Sequence, residues 1–219
     1  MDPRIKTSTL AYNSIKEMIF RYQLIPGQKI TYDFLARKLK VSNTPIINAL
    51  HRLEQEDIVI SIPNRGFIIR DVNIEEVEEY FRIRAVLEML AIEDAIKNQT
   101  PKQLRELNAA RRIHQEFKVF SRNRLVKDAA FHLKIAEIGG NKLLARLLKH
   151  LFEFMYLRLR TEGLPFHRIA ETINEHQEIY RAIKNKNPIR ARAYIKRHIA
   201  QDRKATIEGI HEAYTAYPP

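Results

Sequence analysis

The amino-acid sequence predicts a mainly α-helical protein in two parts: a short part with three helices and one β-hairpin, then a longer all-helical part. Apolar residues recur at spacings of three and four through most of the 219 residues, which is the period of a helix with one buried face. Only the β-branched runs at 58–60 and 67–69 have the composition of a hairpin. We therefore expect two domains, residues 1–72 and residues 73–219.

The N-terminal part predicts three helices and a hairpin in that order. A first helix is indicated from Leu10 to Tyr22, and the turn formers Pro26-Gly27 end it. Thr31 is a suitable N-cap for a second helix. The segment 41–45 is a tight connection, in which Pro45 suits the first turn of a third helix. Together these elements indicate a winged helix-turn-helix, whose third helix enters the major groove of DNA.

The second part predicts six helices separated by short breaks that contain Gly, Pro or Asn. Short connections join helices that pack side by side in opposite directions, so the pattern predicts an antiparallel all-helical bundle. The helices are expected at residues 74–97, 101–120, 122–138, 141–160, 165–184 and 188–214.

Composition limits the classes of function. The formal net charge of +12 suits a polyanionic partner such as nucleic acid, although a basic solvated surface would give the same value. The absence of Cys excludes disulfides, thiolate metal sites and a cysteine nucleophile. No run of about 18 apolar residues is present, and the start MDPRIKTSTL lacks the apolar core of a signal peptide. We therefore expect a cytoplasmic protein without a membrane span.

The predicted DNA-binding residues lie on the third helix and at the tip of the hairpin. The start of that helix offers backbone N–H groups to a phosphate, and its exposed side chains reach base edges. At the tip, Arg65 reaches the minor groove and Gly66 permits close approach. The candidates on the helix are Ser42, Asn43, Thr44, Asn48, His51 and Arg52. A winged helix that binds protein instead of DNA is the alternative.

A candidate metal site is formed by one carboxylate and three imidazoles in the helical part. Asp128 and His132 are four residues apart and therefore share one helix face, while His176 and His198 lie on two later helices. If they converge, the set suits a divalent transition metal, zinc first and nickel or manganese as alternatives. Taken alone, the Asp-x-x-x-His pair is more often a surface ion pair, and a histidine such as His176 is more often a solvated or capping residue.

Residues 24–72 resemble the GntR family of bacterial regulators. The features that carry the resemblance are the Pro26-Gly27 turn, the segment 41–45 and the Arg65-Gly66 wing, together with the pairs Leu35-Ala36, Ala49-Leu50 and Leu53-Glu54. The resemblance implies sequence-specific binding to double-stranded DNA. The chain departs from the family at two positions, because Asn43 and Ile47 stand where the family usually has arginines. The operator sequence therefore does not carry over.

Residues from about 75 to 214 resemble the C-terminal domain of FadR-type regulators, called FCD. The motifs are Tyr80-x-x-x-Arg84-x-x-x-Glu88, Asp128-x-x-Phe131-His132, Gly140-Asn141, Glu175-His176 and Ala191-x-x-x-x-x-x-His198. In that family one Asp and three His hold a metal that helps to bind a small carboxylate effector. The resemblance therefore implies that Asp128, His132, His176 and His198 are the metal ligands.

Two residues are candidates for contact with the effector. The planar guanidinium of Arg84 matches a carboxylate, although an ordinary ion pair with Glu88 is the alternative. Asn141 either lines the pocket or caps the helix that follows Gly140.

The two resemblances predict a ligand-responsive transcriptional regulator, a repressor that binds a near-palindromic operator as a homodimer. The competing hypothesis is a metal-dependent hydrolase in which the His and Asp residues activate a water molecule. A third class is an interaction module. The sequence leaves open the effector, the metal, the operator, the regulated genes and whether the protein represses or activates transcription.

Overall fold

The computed structural model describes residues 3–63, 65–116, 122–159 and 168–216. Within these residues the chain forms nine α-helices and three short strands, which confirms the predicted mainly α fold. The elements are α1 Pro3–Phe20, β1 Lys29–Ile30, α2 Tyr32–Leu39, α3 Asn43–Gln55, β2 Val59–Ile62, β3 Gly66–Ile69, α4 Ile74–Asn98, α5 Pro101–Glu116, α6 Arg122–Gly139, α7 Lys142–Arg158, α8 Arg168–Lys184 and α9 Pro188–Ala216.

The start of the first helix and one additional strand are the main differences from the sequence-based prediction. Helix α1 begins at Pro3 instead of Leu10, since its first turns lack the apolar spacing that marks the rest of the helix. A strand at Lys29–Ile30 was not predicted and pairs antiparallel with β3, so the wing is a three-stranded sheet in the order β1-β3-β2. The predicted helix ends at 120 and 160 and the predicted start at 165 lie outside the described residues.

The chain divides into two compact units. One unit runs to Val72 and also includes the segment that begins at Phe154, and the other unit begins at Asn73. The last turn of α7 therefore belongs to the first unit. There Leu157 is part of the hydrophobic core formed with Ile15, Ile19 and Leu50, and the Arg158 Nη2 atom donates to the backbone carbonyl of Asp71 at 3.0 Å.

Local sequence signals position the helices of the first unit. The side chain of Thr31 accepts a hydrogen bond from the backbone N–H of Phe34 at 3.2 Å, so it is the predicted N-cap of α2. Helix α3 buries Ile46, Leu50 and Leu53 completely and packs against α1 and α2. This packing holds α3 with its opposite face in solvent.

The second unit is a helical bundle organised around α4. Helix α4 packs against α6, α8 and α9, while α5 packs against α6 and α8. A capping box fixes the start of α4. The Asn73 side chain accepts a hydrogen bond from the Glu76 backbone N–H, and the Glu76 side chain accepts one from the Asn73 backbone N–H. The close contact between α4 and α6 needs Gly139, since an added Cβ atom would lie 2.9 Å from the Asp94 Cβ atom.

Candidate metal centre and DNA-binding surface

The four predicted metal ligands lie together inside the bundle. Asp128 and His132 come from α6, His176 from α8 and His198 from α9, and one ligand atom of each lies within 4.8 Å of the others. The three imidazoles are buried, whereas Asp128 is partly exposed. Three separate helices therefore bring their donor atoms to one point in the bundle.

The donor atoms have separations that suit a transition metal. The Nε2 atoms of His132 and His198 are 3.2 Å apart. The two oxygens of Asp128 lie 3.4 Å from His176 Nε2 and 3.7 Å from His132 Nε2. Two ligands each about 2.1 Å from a tetrahedral ion lie about 3.4 Å apart. The donor set and its spacing thus fit a divalent transition metal.

Two buried carboxylates orient the imidazoles. The Oε2 atom of Glu88, on α4, lies 2.5 Å from His132 Nδ1, and the Oε2 atom of Glu175, on α8, lies 2.8 Å from His198 Nδ1. When such a ring is neutral and its Nδ1–H group donates to the carboxylate, the Nε2 lone pair is left directed at the cluster. A carboxylate behind a ligating histidine is a common feature of metal sites, because it fixes the ring orientation and raises its basicity.

These orienting residues were missed by the sequence analysis. Glu88 was considered as part of a family motif and as an ion-pair partner of Arg84, and Glu175 only as part of a Glu-His motif. The sequence gives little indication of either role, because each depends on a contact between two helices. Glu88 is 44 residues from His132, and Glu175 is 23 residues from His198.

Arg84 lies against the same cluster, with only 4% of its surface exposed. Its Nε atom donates to Glu88 at 2.5 Å and its Nη1 atom to Asp202 at 3.2 Å. Its Nη2 atom lies 3.3 Å from His132 Nε2 and 3.4 Å from His198 Nε2. The ion pair with Glu88, offered by the sequence as an alternative, is thus present, and the guanidinium also faces the nitrogens that a metal would use.

Arg168 connects two further carboxylates of the cluster. Its Nη2 atom lies 3.0 Å from Glu175 Oε2 and 3.0 Å from Asp202 Oδ1. On the other side, Asp202 Oδ2 lies 3.1 Å from His198 Nε2. Neither Arg168 nor Asp202 was predicted as a site residue.

Glu88 and Asp202 are held in their ionised form by neighbouring cationic groups. Burial alone would raise the pKa of Glu88, but the neighbouring His132 and Arg84 outweigh it and lower this pKa to about 2. Burial likewise opposes ionisation of Asp202, yet His198, Arg84 and Arg168 hold its pKa well below the usual range. The pKa of His198 is raised because Asp202 and Glu175 outweigh its burial. Glu88 and Asp202 therefore keep their negative charge beside the imidazoles.

Asn141 lies at a helix cap. Its side chain is exposed, and its Oδ1 atom accepts from the backbone N–H of Leu144 at 3.0 Å at the start of α7. Of the two sequence-based alternatives, the cap is the one with an observed contact, and the physical reason is that the N–H groups of a first helical turn need acceptors.

The predicted DNA-binding residues form an exposed face on α3. All six of the predicted α3 candidates are solvent-exposed, whereas Ile47 is half-buried. Asn43 donates through Nδ2 to Asp33 Oδ1 at 2.8 Å, which links α3 to α2. Ser42 is the N-cap residue and makes no side-chain capping bond. The exposed N-terminus of α3 therefore lies where a phosphate can approach.

Two of the α3 candidates already have partners within the chain. The His51 Nδ1 atom lies 3.2 Å from Glu54 Oε2. The Arg52 guanidinium lies 3.8 Å from the centre of the Tyr12 ring and 3.4 Å from Glu56 Oε1. Because a cation over an aromatic ring is stabilised, binding of Arg52 to DNA would cost these contacts.

The glycine of the Arg65-Gly66 wing has a structural role in addition to its predicted approach to DNA. Arg65 is exposed. Gly66 has φ +94, and an added Cβ atom would lie 2.5 Å from the backbone oxygen of Ile30. The glycine is therefore needed for pairing with β1, independently of any approach to DNA.

The fold defines a winged helix-turn-helix domain of DNA-binding type joined to a helical bundle that holds the His and Asp cluster. Residues 7–69 match the profile of the bacterial regulatory proteins of the gntR family, and residues 79–201 match the FCD domain. The chain belongs to the GntR family of transcriptional regulators and carries an FCD domain.

Full-length relatives support this assignment. The helix-turn-helix regulator YdhC of Bacillus subtilis is 29% identical over 198 residues, covering 87% of each chain. The Nta operon transcriptional regulator of Aminobacter aminovorans is 25% identical over 200 residues, covering 90% of this chain and 93% of the relative. These relatives are regulators and not enzymes, so the hydrolase hypothesis is not supported.

Solved structures share the fold. Escherichia coli McbR/YncC has a TM-score of 0.74 at 23% identity and covers 96% of this chain and 98% of that chain. A GntR regulator from Rhodococcus sp. RHA1 has a TM-score of 0.75 at 19% identity, with 91% and 97% coverage. Among the described residues, no helix has both the length and the apolar character that a membrane crossing requires.

Proposed function

We propose that this protein is a FadR-type repressor whose binding to an operator is modulated by a small carboxylate bound beside a divalent transition metal. The observation that carries the proposal is the cluster of Asp128, His132, His176 and His198 with Arg84 against it, in a chain that also exposes one face of α3. Its expected compartment is the cytoplasm, where the operator DNA is present.

The metal would be held by the carboxylate of Asp128 and by the Nε2 atoms of the three histidines. Zinc suits three imidazoles and one carboxylate best, with nickel or manganese as alternatives. When bound, it would supply positive charge for a carboxylate oxygen of the effector. Glu88 and Glu175 would orient His132 and His198 from behind.

Arg84 is the proposed partner of the effector's carboxylate. Its planar fork can donate two parallel hydrogen bonds to a carboxylate, and its Nη2 atom already lies beside the nitrogens of His132 and His198. A carboxylate placed there would contact the guanidinium and the metal together. Asn141 is left out of this effector site, because its observed contact is the cap of α7.

DNA binding is assigned to the exposed face of α3 and to the wing. The backbone N–H groups at the start of α3 and the side chains of Asn43, Thr44 and Asn48 would face the major groove, and Arg65 would reach the minor groove. Ser42, His51, Arg52 and Gly66 remain secondary candidates. Effector binding would change the population of DNA-binding arrangements, which is a coupling between two sites and not a reaction.

We further propose a homodimer and a repressor role. Helix α4 exposes Ile83, Val86 and Leu90, which are spaced to lie on one helix face, and exposed apolar patches of this kind are typical of association surfaces. A dimer would match a near-palindromic operator. A repressor role has support from the transcriptional repressor GlaR of Escherichia coli, which is 21% identical over 203 residues.

The proposal is tested by DNA binding in solution. Fluorescence anisotropy should show that the protein binds DNA from upstream of its own gene more tightly than random DNA of equal length. The affinity should fall steeply with salt, because phosphate contacts release counterions. Replacing Arg65 by Ala should weaken binding, whereas replacing the exposed Lys102 of α5 should not. Equal affinity for every upstream fragment and for random DNA would refute sequence-specific regulation.

A further inference from the structure

We infer that Asp202 is a built-in competitor of the effector: its carboxylate occupies the position between Arg84 and His198 that a ligand's carboxylate would take. The site thereby selects ligands with two carboxylates over ligands with one. This inference rests on the proposed function, because it concerns the same metal-assisted site. It assigns a specificity-determining role to a residue outside the four metal ligands.

The contacts of Asp202 are those expected of a bound carboxylate. Its Oδ2 atom lies 3.2 Å from Arg84 Nη1 and 3.1 Å from His198 Nε2, and its Oδ1 atom lies 3.0 Å from Arg168 Nη2. The carboxylate therefore touches the guanidinium proposed to bind the effector and a nitrogen proposed to bind the metal. An incoming carboxylate that makes both contacts has to replace it.

Asp202 differs from the carboxylates that orient the histidines. Glu88 and Glu175 lie behind the rings and contact the Nδ1 atoms, whereas Asp202 contacts the Nε2 side of His198. The side chain of Asp202 is 19% exposed, compared with 3% for Glu88 and 9% for Glu175. A short side chain at the more accessible edge of the cluster can be displaced with fewer accompanying changes than the two buried glutamates.

Displacement by a ligand has a consequence for selectivity. A monocarboxylate exchanges one carboxylate for another beside Arg84 and His198, so its net gain is small. A ligand with two carboxylates keeps one at this position and adds a second group that can bind Arg168 or a further donor once Asp202 has moved. We therefore expect the chain to favour dicarboxylates, and Asp202 to be the residue that disfavours monocarboxylates.

The experiment compares acetate and malonate on the zinc-loaded full-length protein. Binding is measured by calorimetry and by thermal shift, with zinc content checked after each titration. In Asp202→Asn the affinity for acetate should rise about tenfold or more, since one like charge near the bound anion is removed. The affinity for malonate should rise less, so the preference for malonate over acetate should shrink. Asp202→Ser is a second uncharged variant, which is used if Asp202→Asn destabilises the fold.

The matched control is Glu171→Gln. The Glu171 Oε2 atom lies 2.8 Å from Arg168 Nη1, but the side chain is exposed, and no contact between it and Arg84 or His198 is observed among the described residues. This variant removes one negative charge that contacts Arg168, but it leaves Asp202 in place beside Arg84 and His198. Its acetate affinity should stay within about twofold of the wild type, because exposed ion pairs contribute little.

The outcomes separate this inference from the proposed function. Unchanged or weaker acetate binding in both Asp202 variants, with malonate binding retained in the wild type, overturns the inference alone. Loss of zinc in both Asp202 variants also overturns it, since Asp202 would then be a metal ligand. A wild-type protein that binds neither zinc nor malonate overturns the inference and the proposed effector site together.

Discussion

Replacing His176 by Ala should abolish the stabilisation of this protein by zinc. His176 is completely buried on α8, and its Nε2 atom lies 3.4 Å from Asp128 Oδ1. A metal can bind all four donors only when α6, α8 and α9 are packed as observed, so binding favours the folded state. At a hundredfold excess of zinc over Kd this linkage contributes about 2.7 kcal/mol to the free energy of unfolding.

The expected shift in melting temperature follows from the size of the helical unit. For a domain of about 150 residues, 1 kcal/mol corresponds to about 2–4 °C, so zinc should raise the Tm of the wild type by about 5–10 °C. The His176→Ala variant also loses the stacking of the imidazole on Phe131, whose ring centre lies 4.3 Å away. Comparing each variant with and without chelator cancels this packing loss, because it is present in both samples.

The assay is differential scanning fluorimetry together with elemental analysis of the purified protein. His198→Ala should behave like His176→Ala, while His150→Ala, which replaces an exposed histidine on α7, should keep both the metal and the shift. The reasoning would be refuted if the wild type carries no metal after purification with zinc present. It would also be refuted if His150→Ala loses the metal as His176→Ala does.

Three further perturbations test the same structure. Lowering the pH to 5 should remove the zinc-dependent rise in Tm, because the raised pKa of His198 favours its protonated form and a protonated imidazole does not bind metal. A shift that persists at pH 5 would contradict this. Leu157→Ala should lower the free energy of unfolding of the first unit by about 2–5 kcal/mol, since a buried leucine is truncated. The control is Leu143→Ala, which truncates an exposed leucine of the same helix. Equal chemical-denaturation midpoints for the two variants would argue against the packing of Leu157 in the core of the first unit. Gly66→Ala should destabilise the wing, because the new Cβ atom meets the Ile30 carbonyl at a positive φ, and an unchanged melting curve would show that the strands are not paired as observed.

The helices were predictable because each carries its own periodic signal. The apolar spacing that marks α3 in the sequence is the spacing of the residues it buries in the structure. By contrast, β1 spans only two residues, too few for the alternation that identifies a strand. The assignment of Leu157 to the core of the first unit was also beyond the sequence, since it depends on a contact with residues more than a hundred positions away.

The metal centre was predictable in part, for a similar reason. The pair Asp128 and His132 lies on one helix, so its spacing is visible in the sequence, and the family resemblance supplied His176 and His198. The roles of Glu88, Glu175 and Asp202 are created by contacts between helices. Residue type alone does not separate them from the surface carboxylates that make up most of the acidic residues in a protein.

The charges of the whole cluster link the proposed metal to the proposed carboxylate effector. Burying ionised groups is costly unless their charges are compensated. Glu88, Asp128, Glu175 and Asp202 carry four negative charges. Three positive charges come from Arg84, Arg168 and Arg124, a buried residue of α6 that interacts electrostatically with Asp128 and Asp202. When the imidazoles are neutral, the excess is therefore one negative charge. A divalent cation changes this balance to one positive charge, which attracts an anion into the site. Metal and carboxylate effector are therefore expected to bind cooperatively, because the charge that favours the effector is present only when the metal is bound.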